Sequence, residues 1–119
     1  MLREGGGLEL VGAIRDAPKA LVFISVPWSG PERQGRQIFR AAADVLDEEY
    51  ADLGVAFFRL EVDEDETSQQ WLVSIGYPQF AWIGAGSLLW LQSGEVLATE
   101  INALSLGIPG MVERSTSLW

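Results

Sequence analysis

The sequence predicts an α/β domain of three layers, with helices on both faces of a mixed sheet. Three observations carry this. Residues 20–26, Ala-Leu-Val-Phe-Ile-Ser-Val, form a nearly continuous apolar run rich in β-branched residues, which suits a central strand covered on both faces. Helical and strand-like stretches then alternate, and strand-helix-strand units favour parallel pairing through right-handed crossovers. Finally, the Ser93-Gly94 connection between two apolar stretches is too short for a crossover and forces an antiparallel hairpin.

The elements follow in order. Leu8 to Asp16 has apolar residues at 8, 10, 11, 13 and 14, a short amphipathic helix weakened by Gly12 and stopped by Pro18. After the 20–26 strand, a long helix is expected from about Gly30 to Leu53, with Phe39, Ala42, Leu46, Tyr50 and Leu53 on one face. Val55 to Val62 is a second strand whose Phe58, Leu60 and Val62 point one way and Arg59 and Glu61 the other. Thr67-Ser68-Gln69-Gln70 has the form of a capping box for a helix carrying Trp71, Leu72 and Ile75, with Gly76 as its stop. Strands are expected at Phe80–Ile83, Leu88–Leu91 and Val96–Ile101. Leu104 to Glu113 makes a poor last helix because of Gly107, Pro109 and Gly110.

At 119 residues the chain is one domain, 1–119, with residues 1–7 expected to be flexible and 114–119 frayed. Seventeen acidic against eight basic residues give a net charge of −9, which excludes nucleic acid and anionic membrane as partners, since both demand clustered Lys and Arg. With no Cys and no His, no zinc site, Cys-His pair or Ser-His-Asp relay can be assembled, and neither cofactor nor metal is expected. No apolar stretch approaches a membrane span and the start has no signal-like core, so a cytoplasmic protein is the expectation.

Trp28-Ser29-Gly30-Pro31-Glu32-Arg33 resembles the active-site loop of thioredoxins, Trp-Cys-Gly-Pro-Cys followed by Lys or Arg. The likeness runs from about Ala20 to Val112. It includes the 53–63 strand with its closing Asp63, the Gly76-Tyr77-Pro78 segment, and Ser87 to Thr99, which is similar to the thioredoxin hairpin. The resemblance implies a thioredoxin-like fold without its redox chemistry. Both cysteine positions hold other residues, Ser29 and Glu32, and a dithiol cycle needs one thiolate to attack and a second to resolve. The family's buried acid, five residues before the loop tryptophan, is Phe23. The family's cis-proline falls on Pro78, although the longer interval to the hairpin leaves Gly86 as the alternative occupant.

The loop admits two readings. Ser29 with Glu32 three residues later is a capping box, and Pro31 is tolerated in a first helical turn. Alternatively Ser29 holds a glutathione thiolate, as a serine does in the glutathione-transferase branch of the fold; Glu32 opposes an anion there. The acidic run Glu61, Asp63, Glu64, Asp65, Glu66 lacks the glycine of an EF-hand and fits a solvated face or helix-dipole complement. The resemblance implies that Trp28, Ser29, Pro31, Tyr77 and Pro78 line a groove for an extended peptide, a mode of binding that needs no sulfur. The competing reading has Trp28 and Tyr77 simply packing. The expected function is a non-catalytic protein- or peptide-binding module, with a weak homodimer, paired through Gly84–Leu91, left open.

Overall fold

In a computed structural model of the protein, residues 2–26, 30–63, 65–77 and 86–119 are described. In chain order they form β1 (Leu2–Gly5), α1 (Gly7–Asp16), β2 (Lys19–Ser25), α2 (Gly30–Glu49), a 3-10 turn (Ala51–Leu53), β3 (Ala56–Glu61), α3 (Glu66–Ser74), β4 (Ser87–Gln92), β5 (Glu95–Glu100) and α4 (Ala103–Leu118). The five strands make one sheet in the order β1-β3-β2-β4-β5. β1, β3 and β2 run parallel, while β4 is antiparallel to β2 and to β5. The expected strand at 80–83 lies outside the described residues.

Alternation along β2 explains why its run is apolar throughout. Ala20, Val22 and Ile24 enter a core under α1 and α3, while Leu21 and Phe23 enter a second core under α2 and α4. β3 splits the same way: Phe58 and Leu60 face α1 and α3, and Phe57 faces α2. The even-odd pattern therefore divides two interiors. Arg59, on the face opposite Phe58 and Leu60, is buried.

Four further expectations are corrected. Residues 2–5, expected to be flexible, pair in register with Phe57–Leu60 as an edge strand, because the ladder satisfies backbone groups whatever the side chains. The α2 helix proper ends at Glu49, and Tyr50 is exposed rather than on the buried face. The α3 helix starts at Glu66, so its N-cap is Asp65 and not Thr67. The last helix runs to Leu118, not to 113. Gly107, at φ +71°, breaks it into two segments, and this lets Pro109 stand in the first turn of the second, where its missing N–H costs nothing.

The chain's end is packed rather than frayed. Trp90 Nε1 donates to the buried Ser115 Oγ at 2.8 Å, the Arg114 guanidinium lies 5.4 Å from the Trp90 ring centroid, and Leu118 and Trp119 pack on the α2-side core. Across β4 and β5 the register slips by one, pairing Leu91 with Val96 but Trp90 with Ala98. Leu97 is the inserted residue, and it is 42% exposed.

Candidate functional site

The parallel strands end at the edge where β2 leads into α2 and β3 leads into α3. These helices cover opposite faces of neighbouring strands, and the space beyond the strand ends between two such helices is the usual ligand position in open α/β sheets. Of the residues expected at the site, Gly30 and Pro31 are exposed at the start of α2. Trp28, Ser29 and Pro78 lie outside the described residues. Tyr77 directly follows the turn after α3 and is only 6% exposed, with its ring in the α1–α3 core. Its ring packs in the core, and any contact with Trp28 lies outside the described residues. Burial pushes its hydroxyl above the ordinary tyrosine pKa; the Ser87 hydroxyl opposes that shift and the Glu100 charge adds to it.

Glu32 departs most from expectation. A capping glutamate would stay near solvent at the helix end, but this side chain is 0% exposed. Its Oε1 accepts from the Ser25 hydroxyl at 3.1 Å and faces Arg36 Nε at 3.6 Å, while Oε2 is buried without a hydrogen-bond partner among the described residues. Closure onto Ser29 falls outside the described residues.

Ser25 in turn accepts from Arg59 Nη1 at 3.0 Å. The remaining Arg59 nitrogens bind Glu4 Oε1 at 3.0 Å and Glu61 Oε1 at 2.9 Å, and Arg40 also engages Glu4. This chain of polar groups links β1, β3, β2 and α2, and only Glu32 and Glu61 of it were visible as candidates in the sequence. Burial works to raise the Glu4 pKa, but hydrogen bonding and charge from Arg59, then Arg40, outweigh it and hold the carboxyl below its ordinary value.

Beside this network the interior is hydrocarbon. Phe23 stacks on Phe39 with ring centroids 5.2 Å apart and planes 17° apart, and both rings are fully buried. The Phe23 ring also lies against Gly86, the buried residue immediately before β4. A Cβ built on Gly86 would overlap ring atoms Cζ and Cε2 and stand 3.4 Å from Cε1. Gly86 also has φ +92°, which side chains rarely adopt. Residues 23 and 86 are thus matched: the bulk at one requires its absence at the other. An aromatic five residues before Trp28 and a glycine just before an apolar strand were the signals for this pair.

Asp65 of the acidic run has a structural role. Asp65 Oδ2 accepts from the Gly7 N–H at 2.5 Å and the Ser68 hydroxyl at 2.6 Å, so one carboxylate serves the starts of both α1 and α3. Burial raises its pKa, yet these hydrogen bonds and the nearby amides of Ser68 and Thr67 outweigh it, and the net shift is downward. Among the described residues no group of acidic side chains is arranged to hold a metal ion.

No protein-family model matches the chain, and no curated protein matches it. Solved structures do. A point mutant of the thioredoxin from Halobacterium salinarum superposes with a TM-score of 0.68 at 19% identity, covering 98% of this chain and 89% of that one. Trichomonas vaginalis thioredoxin gives 0.63 at 21% identity over 96% of each chain. The chain has the thioredoxin fold. The zinc-bound form of human ERp44 is also similar, with a TM-score of 0.75 at 16% identity over 98% of this chain; the chain spans 31% of that protein's length. Within the thioredoxin fold this member has no cysteine, a phenylalanine five residues before Trp28, and a buried carboxylate at position 32. Dithiol-disulfide exchange has no reacting atoms here.

Proposed function

We propose that the chain is a non-catalytic thioredoxin-fold module that binds a protein or an extended peptide at the α2 edge of the sheet. The observation that carries this is the treatment of position 32. A buried carboxylate, hydrogen-bonded to Ser25 and facing Arg36, has become part of the scaffold, while Gly30 and Pro31 above it stay exposed. A buried polar support beneath an exposed helix start suits docking rather than chemistry. Trp28, Ser29, Pro31 and Pro78 are the contact residues of this reading, with Tyr77 held in the core. A cytoplasmic setting belongs to the same reading; no described helix is long and apolar enough to cross a membrane. The Glu32 carboxylate in the first turn of α2 weighs against a glutathione thiolate at Ser29.

The test is a comparative pull-down with the native chain, Trp28→Ala and Pro78→Ala, each checked for folding by circular dichroism. Partners retained by the native chain and lost by both variants are expected. Retention unchanged by both, or amide shifts around Gly30 on adding glutathione, would refute the reading.

A further inference from the structure

The exposed face of α2 carries its charges in an order that opposes the helix. Arg33, Arg36 and Arg40 stand in the first half, Asp44, Asp47 and Glu48 in the second, and no basic residue occupies the last turn. Helix dipoles place partial positive charge at the N-terminus and negative at the C-terminus, so on this face Arg33 meets like charge at the start and Asp47 and Glu48 at the end, while the buried Glu32 complements the first turn. The segregation is also sharp against the rest of the chain. Residues 30–40 hold three arginines and one glutamate, a net +2; the other 108 residues hold five basic and sixteen acidic groups, a net −11.

At 3.6 residues per turn these six side chains share one stripe, opposite the buried Gly35, Phe39, Ala42 and Leu46. All are exposed except Arg36, which is partly so. Two shallow depressions follow the stripe, one of about 270 Å³ between Arg33, Arg36 and Arg40, and one of about 260 Å³ beside Arg40, Ala43 and Asp44. Contacts within the chain engage three of the six side chains, Arg36, Arg40 and Asp47. Arg36 turns Nε to Glu32 and Arg40 turns Nη2 to Glu4, while Arg33, Asp44 and Glu48 have no ion-pair partner among the described residues.

We infer that this stripe docks on the same stripe of a second copy of the chain, the two α2 helices lying antiparallel about a two-fold axis that crosses the exposed stripe at the level of residue 42. In that register Arg40 meets Asp44 of the second copy and Arg36 meets its Glu48, and symmetry repeats each pair. A centre at Arg40 would set that arginine against itself, so the charges select the register as well as the partner. Antiparallel packing also brings each helix end against the opposite end of its neighbour, relieving the conflict with the dipole. An acidic peptide would use only the arginine half and leave Asp44 and Glu48 without a role. The interface is small and charged, so the dimer is weak and salt-sensitive. At about 0.1 M salt the Debye length of about 10 Å screens the repulsion between two −9 copies while sparing contacting pairs.

Sedimentation equilibrium up to about 1 mM protein at that ionic strength should show a monomer-dimer equilibrium that weakens in about 1 M salt. Asp44→Lys with Glu48→Lys, which breaks no ion pair among the described residues, should weaken it at least about tenfold, since each substitution acts at two symmetry-related pairs. Arg36→Glu with Arg40→Glu should do the same, and an equimolar mixture of the two variants should dimerise again. A chain monomeric at about 1 mM, self-association indifferent to either reversal, a mixture that does not associate, or capture of an acidic peptide without self-association would each overturn the inference.

Discussion

Substituting Gly86 by alanine tests the match between residues 23 and 86. The added methyl would overlap Cζ and Cε2 of Phe23, so the ring must move. It has no free space to move into: it is fully buried and stacked on Phe39. Overpacking of such a site costs about 1–3 kcal/mol. Holding alanine at φ +92° adds about 1–2 kcal/mol. The expected loss is about 3 kcal/mol, which at a urea m-value of about 2 kcal/mol/M lowers the midpoint by about 1.5 M. The two contributions separate in a double-mutant cycle with Phe23→Leu. Once the ring is gone only the backbone strain remains, so Gly86→Ala should then cost about 1 kcal/mol, a coupling of about 2 kcal/mol. Equal costs in both backgrounds, or a loss under about 0.5 kcal/mol in the native one, would show that Phe23 does not fill the space above Gly86.

Other outcomes are expected together. Asp65→Ala should destabilise the chain by about 1–2 kcal/mol in urea melts, because the starts of α1 and α3 lose a common acceptor. Asp65 and Glu4 both have lowered pKa values, so their stabilisation is present above the ordinary carboxylate range and disappears as pH falls through the folded values. Tyr77 has a raised pKa, so its contribution is intact below about pH 10 and disappears above it. Stability measured against pH should therefore be flat near neutrality and fall at both ends, and Asp65→Ala should flatten the acid limb. Glu32→Ala should cost more than Glu32→Gln by about 1–2 kcal/mol, since the amide still accepts from Ser25; equal costs would mean that hydrogen bond contributes nothing. Insulin reduction by the native chain should match buffer alone, and measurable turnover would contradict the loss of dithiol chemistry.

The sheet and its flanking helices were legible because burial on both faces leaves an unbroken apolar run at 20–26, and because a two-residue turn at 93–94 admits one geometry. β1 was not legible: a four-residue edge strand of Leu-Arg-Glu-Gly carries no hydrophobic pattern, and its place is set by backbone pairing with β3. The polar chain beneath α2 was hidden for a related reason. Arg59 alternates with Phe58 and Leu60 as a solvent-facing residue would, and only knowledge that α2 covers that face turns it inward. Glu32 satisfied a capping pattern, but the pattern is blind to a serine seven residues earlier on the neighbouring strand. Gly86 was visible as an alternative to Pro78, whereas its dependence on Phe23 is a contact between β2 and the entry to β4 that no local pattern encodes.

The inserted Leu97 has a consequence for how the molecule behaves in a crowd. β5 is an outer strand, and a straight outer strand exposes a row of backbone donors and acceptors on which another chain can build. The extra residue interrupts that row in its middle, and Glu95 and Glu100 place charge at either end. Deleting Leu97 would restore an even ladder against β4 and a continuous edge, a change more hazardous than replacing it with any other side chain. Fibrils seeded from the sheet's rim, rather than loss of the folded state, would then be the failure to watch for.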